Sequence, residues 1–258
     1  MDGPPAARAE SGGVLMALLL AGFAWIVDPA HWIDRVGYPS IATRLAEHLA
    51  YTGLAILIAA VIAIPAGLAI GHTGRGRTVA VIIAGGARAL PTLGLLSLFI
   101  LLLGIGFASP VVVLAILAVP PLLAGAYSGV EAVDRPAVDA ARALGMTEWQ
   151  ILTRVEVPIA LPLILGGARS SVLQVIATAT VAAYFAGGGL GRYVFGGLQS
   201  GDYPQMVAGS ALVAALALAV DGALAVIQKL SLPPGVTPGG PETGRRGSRG
   251  RMTVPEPS

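Results

Sequence analysis

Two long apolar runs constrain this chain more than any other feature of its sequence. Residues 49–71 read LAYTGLAILIAAVIAIPAGLAIG, and neither this run nor residues 89–130 contain a single Asp, Glu, Lys or Arg. A helix needs about 20 apolar residues to cross the hydrocarbon core of a bilayer. Only 12% of the chain is charged, against about 25% in soluble domains. The chain is therefore predicted to be a membrane protein with several spans.

The apolar runs are continuous, and this pattern excludes several classes of protein. A membrane barrel would show segments of about 10 residues with strict alternation, so the prediction is an all-α polytopic helical bundle. The chain has no cysteine, which excludes disulfides and thiolate metal sites. Its three histidines are dispersed, so we predict no metal site and no cofactor on this chain.

Six transmembrane helices are predicted, at residues 13–27, 48–71, 78–103, 111–128, 160–186 and 205–229. The first run could also be the core of a signal peptide, but its flank has no basic region and no small-residue cleavage site follows it, which favours a retained span.

Three regions follow from this assignment. Residues 1–47 form an N-terminal segment with the first span and an external loop, and residues 48–230 form the transmembrane domain. Residues 231–258 form a Pro-, Gly- and Arg-rich tail that is predicted to be disordered.

The arginines give the orientation, since basic residues favour the cytoplasmic side. Three arginines fall outside, namely Arg35, Arg44 and Arg192. Eleven basic residues fall inside: Arg8, Arg75, Arg77, Arg135, Arg142, Arg154, Lys229, Arg245, Arg246, Arg249 and Arg251. This places both termini in the cytoplasm and the protein in the plasma or inner membrane. The arginines of the tail are interpreted as topological signals, and no nucleic-acid partner is predicted.

A charged segment at residues 131–158 interrupts the apolar spans on the predicted cytoplasmic side. Asp134 is placed to cap a helix of about ten residues that ends at Gly145. Thr147 and Gln150 then form a T-x-x-Q capping box for a second short helix. Because Pro158 follows, this second helix is expected to end near Val157.

This segment resembles the EAA loop of the permeases of binding-protein-dependent ABC importers. That loop has the pattern E-A-A, three residues, G, nine residues, then I-x-L-P. Here Asp139-Ala140-Ala141 is followed at the same spacing by Gly145 and by the run from Val155 to Pro158. Asp139, Val155 and Val157 replace Glu, Ile and Leu of the pattern. The resemblance implies contact with an ATPase through eight residues: Asp139, Ala140, Ala141, Gly145, Met146, Trp149, Val157 and Pro158.

Residues 41–230 are similar to the osmoprotectant branch of these permeases. The segments ATATVAAYFAGGGLGRYVFGGL and LPTLGLLSLFILLLGIG carry much of that similarity. The resemblance implies a type I ABC importer fold and import of glycine betaine, choline or carnitine, or of another small solute. It also implies three partners: an ABC ATPase that binds ATP and Mg, a second permease that is the same or a sister chain, and an extracytoplasmic solute-binding protein.

The sequence argues against catalysis by this chain. A P-loop needs a lysine in G-x-x-x-x-G-K-[ST], and the only lysine, Lys229, is in no such motif. No histidine lies deep in a span near a serine, which disfavours an intramembrane hydrolase. An ion-coupled secondary transporter is the remaining alternative, with Asp221 as the only acid in a predicted span.

Two further groups are candidates for function. Arg88, Arg169 and Asp221 lie at one depth in their spans, and we predict that Asp221 pairs with one of these arginines as a charge latch between helices. Snorkelling of the arginines to the surface is the alternative. Tyr184, Phe185, Tyr193 and Phe195 flank the turn AGGGLG and could form an outer gate or simply pack.

Overall fold

The computed structural model of the protein describes residues 5–86, 91–185 and 188–231. Arg88 and the predicted tail from residue 232 onward lie outside these ranges.

The described residues form ten α-helices and no sheet. They are α1 (Pro5–Val27), α2 (Ile41–Thr73), α3 (Arg77–Gly86), α4 (Thr92–Leu103), α5 (Ala108–Glu131), α6 (Arg135–Ala143), α7 (Glu148–Ile151), α8 (Val157–Ala182), α9 (Gly191–Ser200) and α10 (Tyr203–Ser231). A short 3₁₀ helix, Pro29–His31, follows α1, and a π-helical turn, Leu152–Glu156, joins α7 to α8.

Four helical segments are long and apolar enough to cross a membrane: Ile41–Thr73, Ala108–Glu131, Glu148–Ala182 and Tyr203–Ser231. Two shorter apolar helices, Gly13–Val27 and Thr92–Leu103, account for the remaining predicted spans. The six apolar segments therefore occur in the predicted order, within the described part of the chain.

The predicted continuous helix at residues 78–103 is wrong, because the structure divides it into α3 and α4. Pro91 stands at the N-cap of α4 with φ −69° and ψ 111°, which is an extended conformation. Proline has no amide hydrogen and its ring clashes with the preceding turn, so a helix rarely continues through it without a kink or break.

The core of the bundle consists of α2, α5 and α8, which cross at very close range. α5 is central, with 67% of its apolar window buried. Small residues make this approach possible: a Cβ atom on Gly67 of α2 would lie 2.7 Å from the Ala126 side chain of α5. Between α5 and α8, Gly125 and Gly167 face each other, and a Cβ on either would lie 2.7 Å from the Cα of the other. Lipid offers no hydrophobic drive for helix association, so such backbone contacts hold membrane helices together.

The periphery is formed by α1, which packs against α10. Gly22 of α1 lies against Val207, where a Cβ would meet that side chain at 2.6 Å. The loop between α1 and α2 then covers the outer end of α9 and α10, so the N-terminal segment is joined to the bundle on its predicted outer side.

Candidate functional site

The segment from α6 to the π-helical turn, residues 135–156, forms the main candidate site, and we call it the coupling element. α6 has nine residues, close to the predicted ten. Asp134 stands at its N-cap, but its side chain makes no capping hydrogen bond, so the predicted side-chain cap is wrong. Pro136 lies in the first turn of α6, where no intrahelical amide bond is lost.

Gly145 ends α6 as the sequence predicts. Its φ is +81°, a conformation that costs residues with a side chain roughly 1–2 kcal/mol. The Gly145 amide donates to the carbonyl of Arg142 at 2.9 Å, and the Met146 amide donates to Ala141 at 3.2 Å. These two bonds define a Schellman motif, which fixes the angle at which the chain leaves α6.

The predicted capping box of α7 is confirmed. The Gln150 amide donates to Thr147 Oγ1 at 3.4 Å, and the Thr147 amide donates to Gln150 Oε1 at 2.8 Å. This reciprocal pair satisfies two amides that the first turn of a helix would otherwise leave without a partner.

The predicted helix end near Val157 is wrong, because the chain continues into α8 without a break. The Val157 amide donates to the carbonyl of Leu152, five residues earlier, so residues 152–156 form a π-helical turn. Pro158 then falls in the first turn of α8. The wider π turn accommodates the proline ring where an α turn would clash. A movement of α7 therefore passes directly into a transmembrane helix.

A small apolar core holds the two arms of the coupling element together. Four buried residues form it, namely Val133, Val138, Ala141 and Ile151. Met146 and Val155 pack against them. Ala141, one of the residues expected to contact the ATPase, is therefore buried inside the element.

The opposite face of the coupling element carries two large apolar side chains that are open to solvent. Leu144 is 83% exposed and Trp149 is 72% exposed. Asp139 and Ala140 are exposed beside them. An exposed aromatic and aliphatic pair at the tip of a rigid element is typical of a protein–protein contact.

A chain of charged groups, which the sequence did not predict, ties the coupling element to α2. Arg142 donates to Asp139 at 3.3 Å and to both carboxylate oxygens of Glu148, at 2.9 and 3.0 Å. His72, at the end of α2, lies between two carboxylates: Nδ1 is 2.6 Å from Glu156 and Nε2 is 3.2 Å from Glu148. We call these five residues the charge chain.

Burial and charge differ along the charge chain. The Glu156 side chain is 5% exposed and that of His72 is 12% exposed, whereas Glu148 is 58% exposed. The hydrogen bonds that Arg142 donates to Glu148 lower the pKa of Glu148 and raise the pKa of Arg142. A lowered carboxyl pKa stabilises the fold at neutral pH, and this contribution is lost only as the pH falls through that pKa. The pair is therefore ionised at neutral pH.

Within the spans, the structure brings Arg169 of α8 and Asp221 of α10 together. Arg169 Nε and Nη2 both donate to the carboxylate, the latter at 2.6 Å. This bidentate contact is the strongest geometry for such a pair. Arg88, the third residue of the predicted latch, lies outside the described residues.

We expect Asp221→Asn to destabilise the protein by about 1–2 kcal/mol, the upper range for polar contacts between membrane helices. The variant leaves Arg169 with no carboxylate partner at this depth. Thermal unfolding of the purified protein in detergent measures the loss. The double variant Arg169→Gln/Asp221→Asn removes the lone charge and should regain stability. An unchanged unfolding temperature in the single variant would contradict a latch.

The predicted outer gate is divided by the structure into two places. Tyr184 contacts Phe185 and Phe195 edge-on, with ring centroids 4.9 and 5.0 Å apart. Phe185 also packs against a buried cluster of α4, α5 and α8. Tyr193 instead meets Trp25, 5.1 Å away. Three of the four rings therefore form one aromatic cluster, and Tyr193 packs against Trp25 instead; whether they form a gate stays a prediction.

The described end of the glycine turn is held against the outer end of α2. The Gly189 amide donates to Glu47 at 2.7 Å, and the Gly188 amide donates to the hydroxyl of Tyr51 at 3.3 Å. His48 is 1% exposed and contacts the Ile176 carbonyl at 3.0 Å. These contacts join α2 to the outer end of α8, at the opposite end from the charge chain.

Comparison with known proteins gives a consistent result. The family described as "Binding-protein-dependent transport system inner membrane component" matches residues 59–233. The glycine betaine/carnitine/choline transport system permease protein OpuCB of Bacillus subtilis is 33% identical over 193 residues, which cover 75% of this chain and 89% of that protein. The osmoprotectant import permease protein OsmW of Salmonella typhimurium is 30% identical over 219 residues, covering 81% of this chain and 100% of that protein.

Among solved structures, an inward-facing MetNI methionine ABC transporter has a similar chain. The TM-score is 0.67 at 23% sequence identity, covering 80% of this chain and 99% of that one. At this identity the likeness concerns the fold, and it supports the type I importer architecture. Together with the family match over residues 59–233, it leads to the conclusion that this chain belongs to the inner membrane components of binding-protein-dependent transport systems.

Proposed function

We propose that this chain is the permease subunit of an ATP-driven importer for a small quaternary-ammonium osmoprotectant such as glycine betaine, choline or carnitine. The coupling element carries the mechanism: a rigid pair of helices that exposes Leu144 and Trp149 and continues into a transmembrane helix. The names of the relatives support the solute class: OpuCB is named as a permease for glycine betaine, carnitine and choline, and OsmW as a permease for osmoprotectants.

The exposed face of the coupling element binds a separate ABC ATPase. Leu144 and Trp149 supply the apolar centre of the contact, and Asp139 supplies a charge at its rim. Aromatic anchors at the centre of an interface usually carry most of its energy. ATP and Mg bind to that partner, because this chain has no P-loop.

Closure of the ATPase pair moves the coupling element, and two routes carry the movement into the membrane. One is covalent and runs through the π-helical turn into α8. The other runs through His72 into α2. The outer ends of the same two helices meet again where His48 contacts the Ile176 carbonyl, so a tilt of one against the other alternates access between the two sides.

The remaining partners follow from this arrangement. The coupling element and both termini face the cytoplasm, in agreement with the distribution of basic residues. A solute-binding protein docks on the opposite side, and a second permease, identical or a sister chain, completes the pore within the lipid.

Gly145→Val should abolish stable association with the ATPase while leaving the transmembrane bundle folded. A Cβ at this position has no neighbour within 4 Å, so the change acts only through the backbone at φ +81°. A β-branched residue is a strong outlier there, whereas Asn tolerates this conformation. Copurification of the ATPase with each permease variant measures the effect. Gly145→Asn is the matched control and should retain the ATPase. Equal recovery with Val would contradict the proposal.

The transport reaction is tested with labelled glycine betaine, choline and carnitine in cells that carry all subunits. We expect uptake that stops when ATP is depleted and persists under a protonophore. The ion-coupled alternative predicts the reverse. It is already disfavoured because Asp221, the only acid in a predicted span, is engaged by Arg169. Absence of ATP-dependent uptake for all three solutes would refute the proposed solute class.

A further inference from the structure

A cavity of about 430 Å³ opens on the predicted outer face, where the N-terminal segment meets the bundle. Its wall comes from the end of α1, the loop before α2, and the facing ends of α9 and α10. Small-molecule sites have volumes of about 300–1,000 Å³, so the cavity is large enough for a compact solute. Of the residues considered above for transport or ATPase contact, only Tyr193 is among the described residues that line the cavity.

Arginines are the most numerous charged groups that line the cavity, and the carboxylates of Asp34 and Glu47 also lie near Tyr193 on its wall. Arg35, Arg44 and Arg192 line it, and Asp202 is the one acidic residue among the described residues of its wall. These are the same three arginines that the basic-residue distribution assigns to the outer side. Because they come from separate parts of the chain, only the fold brings their charges together.

Two of these three arginines form no ion pair with any of the described residues. Arg44 is paired with Glu47 at 2.9 Å. Asp202 caps the start of α10 by accepting from the Gln205 amide at 3.1 Å. Arg35 and Arg192 form no ion pair in the described part of the chain, and both are exposed. The cavity thus presents two guanidinium groups that can bind a carboxylate.

Aromatic rings form the rest of the wall. Trp25, Tyr38 and Tyr193 line the cavity. Trp25 is fixed in place by His31, which stacks on it at 3.8 Å and contacts its carbonyl oxygen at 2.8 Å through Nδ1. Tyr193 is fixed by its hydroxyl, which donates to the Pro39 carbonyl at 3.0 Å. Such rings attract quaternary ammonium groups through cation–π interaction.

The loop that carries Arg35 is also well ordered by its own contacts. Asp34 accepts hydrogen bonds from the Ser40 amide at 2.7 Å and from the Thr43 hydroxyl at 2.9 Å. Arg35 and Tyr38 exchange two backbone bonds, of 3.1 and 2.9 Å. The Ser40 amide is the main cause of the lowered pKa of Asp34, so this carboxylate is ionised at neutral pH.

We propose that this cavity is an outer binding site for a small zwitterion that carries both a carboxylate and a quaternary ammonium group. Arg35 and Arg192 bind the carboxylate, and the rings of Trp25, Tyr38 and Tyr193 receive the ammonium. The inference rests on the proposed function and narrows its solute class. Glycine betaine and carnitine have both groups. Choline has the cation without the carboxylate, and the excess of arginine disfavours it.

Binding is tested on the assembled permease–ATPase complex in lipid nanodiscs, without ATP and without the solute-binding protein. We expect saturable binding of labelled glycine betaine that unlabelled carnitine displaces and choline does not. Arg35→Gln and Arg192→Gln should each weaken binding at least tenfold, since each removes a charged hydrogen-bond donor. Arg75→Gln, on the turn between α2 and α3, is the matched control and should bind as the wild type does.

Three results would overturn the site: no saturable binding, displacement by choline as effective as by carnitine, or unchanged binding in both cavity variants. In a parallel experiment, increasing concentrations of the solute-binding protein are added to the complex, and the stimulation of ATP hydrolysis is measured. If the cavity variants only raise the concentration of binding protein needed, the arginines contact acidic groups of that partner and the solute site is refuted. Intact ATP-driven uptake together with absent binding would reject this site alone, whereas absent uptake would reject the proposed function.

Discussion

His72→Leu is expected to uncouple ATP hydrolysis from transport. The variant removes the hydrogen bond between His72 and Glu156 and the 3.2 Å contact of Nε2 with Glu148, and it leaves Glu156, with a side chain only 5% exposed, without its imidazole partner. A buried polar group that loses its hydrogen-bond partner costs about 1–3 kcal/mol, and a charged group costs more. The coupling element then remains joined to α8 but loses its polar contacts with α2, so ATPase movement is transmitted less well to α2 than to α8.

The measurement is the number of solute molecules moved per ATP hydrolysed by the reconstituted complex. We expect at least a tenfold fall in this ratio for His72→Leu, with the ATPase still bound through Leu144 and Trp149. Glu156→Gln keeps an oxygen that can accept from His72 and should retain most of the coupling. Glu148→Gln acts at an exposed contact, where a pair is worth about 0–1 kcal/mol, and should have little effect. A normal ratio in His72→Leu would exclude the charge chain from the transmission of movement.

Gly167→Val is expected to prevent the bundle from assembling. A Cβ at this position would lie 2.7 Å from the Cα of Gly125 and 2.7 Å from the carbonyl oxygen of Pro121. Both atoms belong to the backbone of α5, so no side chain can rotate away and the helices must separate. Overpacking by added methyl groups in a core usually costs about 1–3 kcal/mol and more where backbone must move.

Gly166→Val is the matched control for this change, since it adds the same side chain one residue earlier in α8. A Cβ there has no neighbour within 4 Å. Size-exclusion chromatography of the detergent-solubilised protein should show a monodisperse peak for Gly166→Val and aggregated material for Gly167→Val. Similar elution of the two variants would show that α5 and α8 do not cross at Gly125 and Gly167.

The coupling element shows how far local sequence signals reach. The end of α6 at Gly145 and the capping box of α7 were predictable because a helix terminus is satisfied by residues three or four positions away. The continuation of the helix through Pro158 was not predictable. The rule that proline ends a helix assumes that an α turn precedes the proline, whereas this chain forms a π turn there. The break at Pro91, in contrast, follows the rule that the prediction of one long span had overlooked.

Contacts between distant residues had no comparable signal. His72 and Glu156 are separated by 84 positions; His72 lies in no recognisable motif, and Glu156 is the variable position of the run from Val155 to Pro158. The pairing of Asp221 with an arginine was predictable from the sequence, because a charge inside a membrane needs a partner. The depth of Asp221 did not distinguish Arg88 from Arg169 as that partner. The outer cavity joins residues from Trp25 to Gln205, and only the side of the membrane could be predicted for its arginines.

Reading the residues was enough to predict that the chain is helical, that it spans a membrane, and that residues 131–158 resemble an ATPase-contacting loop. These conclusions depend on hydropathy, charge distribution and short-range capping, which are local properties. Three features required the three-dimensional structure: the helices that touch at Gly125 and Gly167, the contacts that tie the coupling element to α2, and the charges that meet in the outer cavity. Those features depend on contacts between side chains that are far apart in the chain. Such contacts are defined only when the helices have packed against one another.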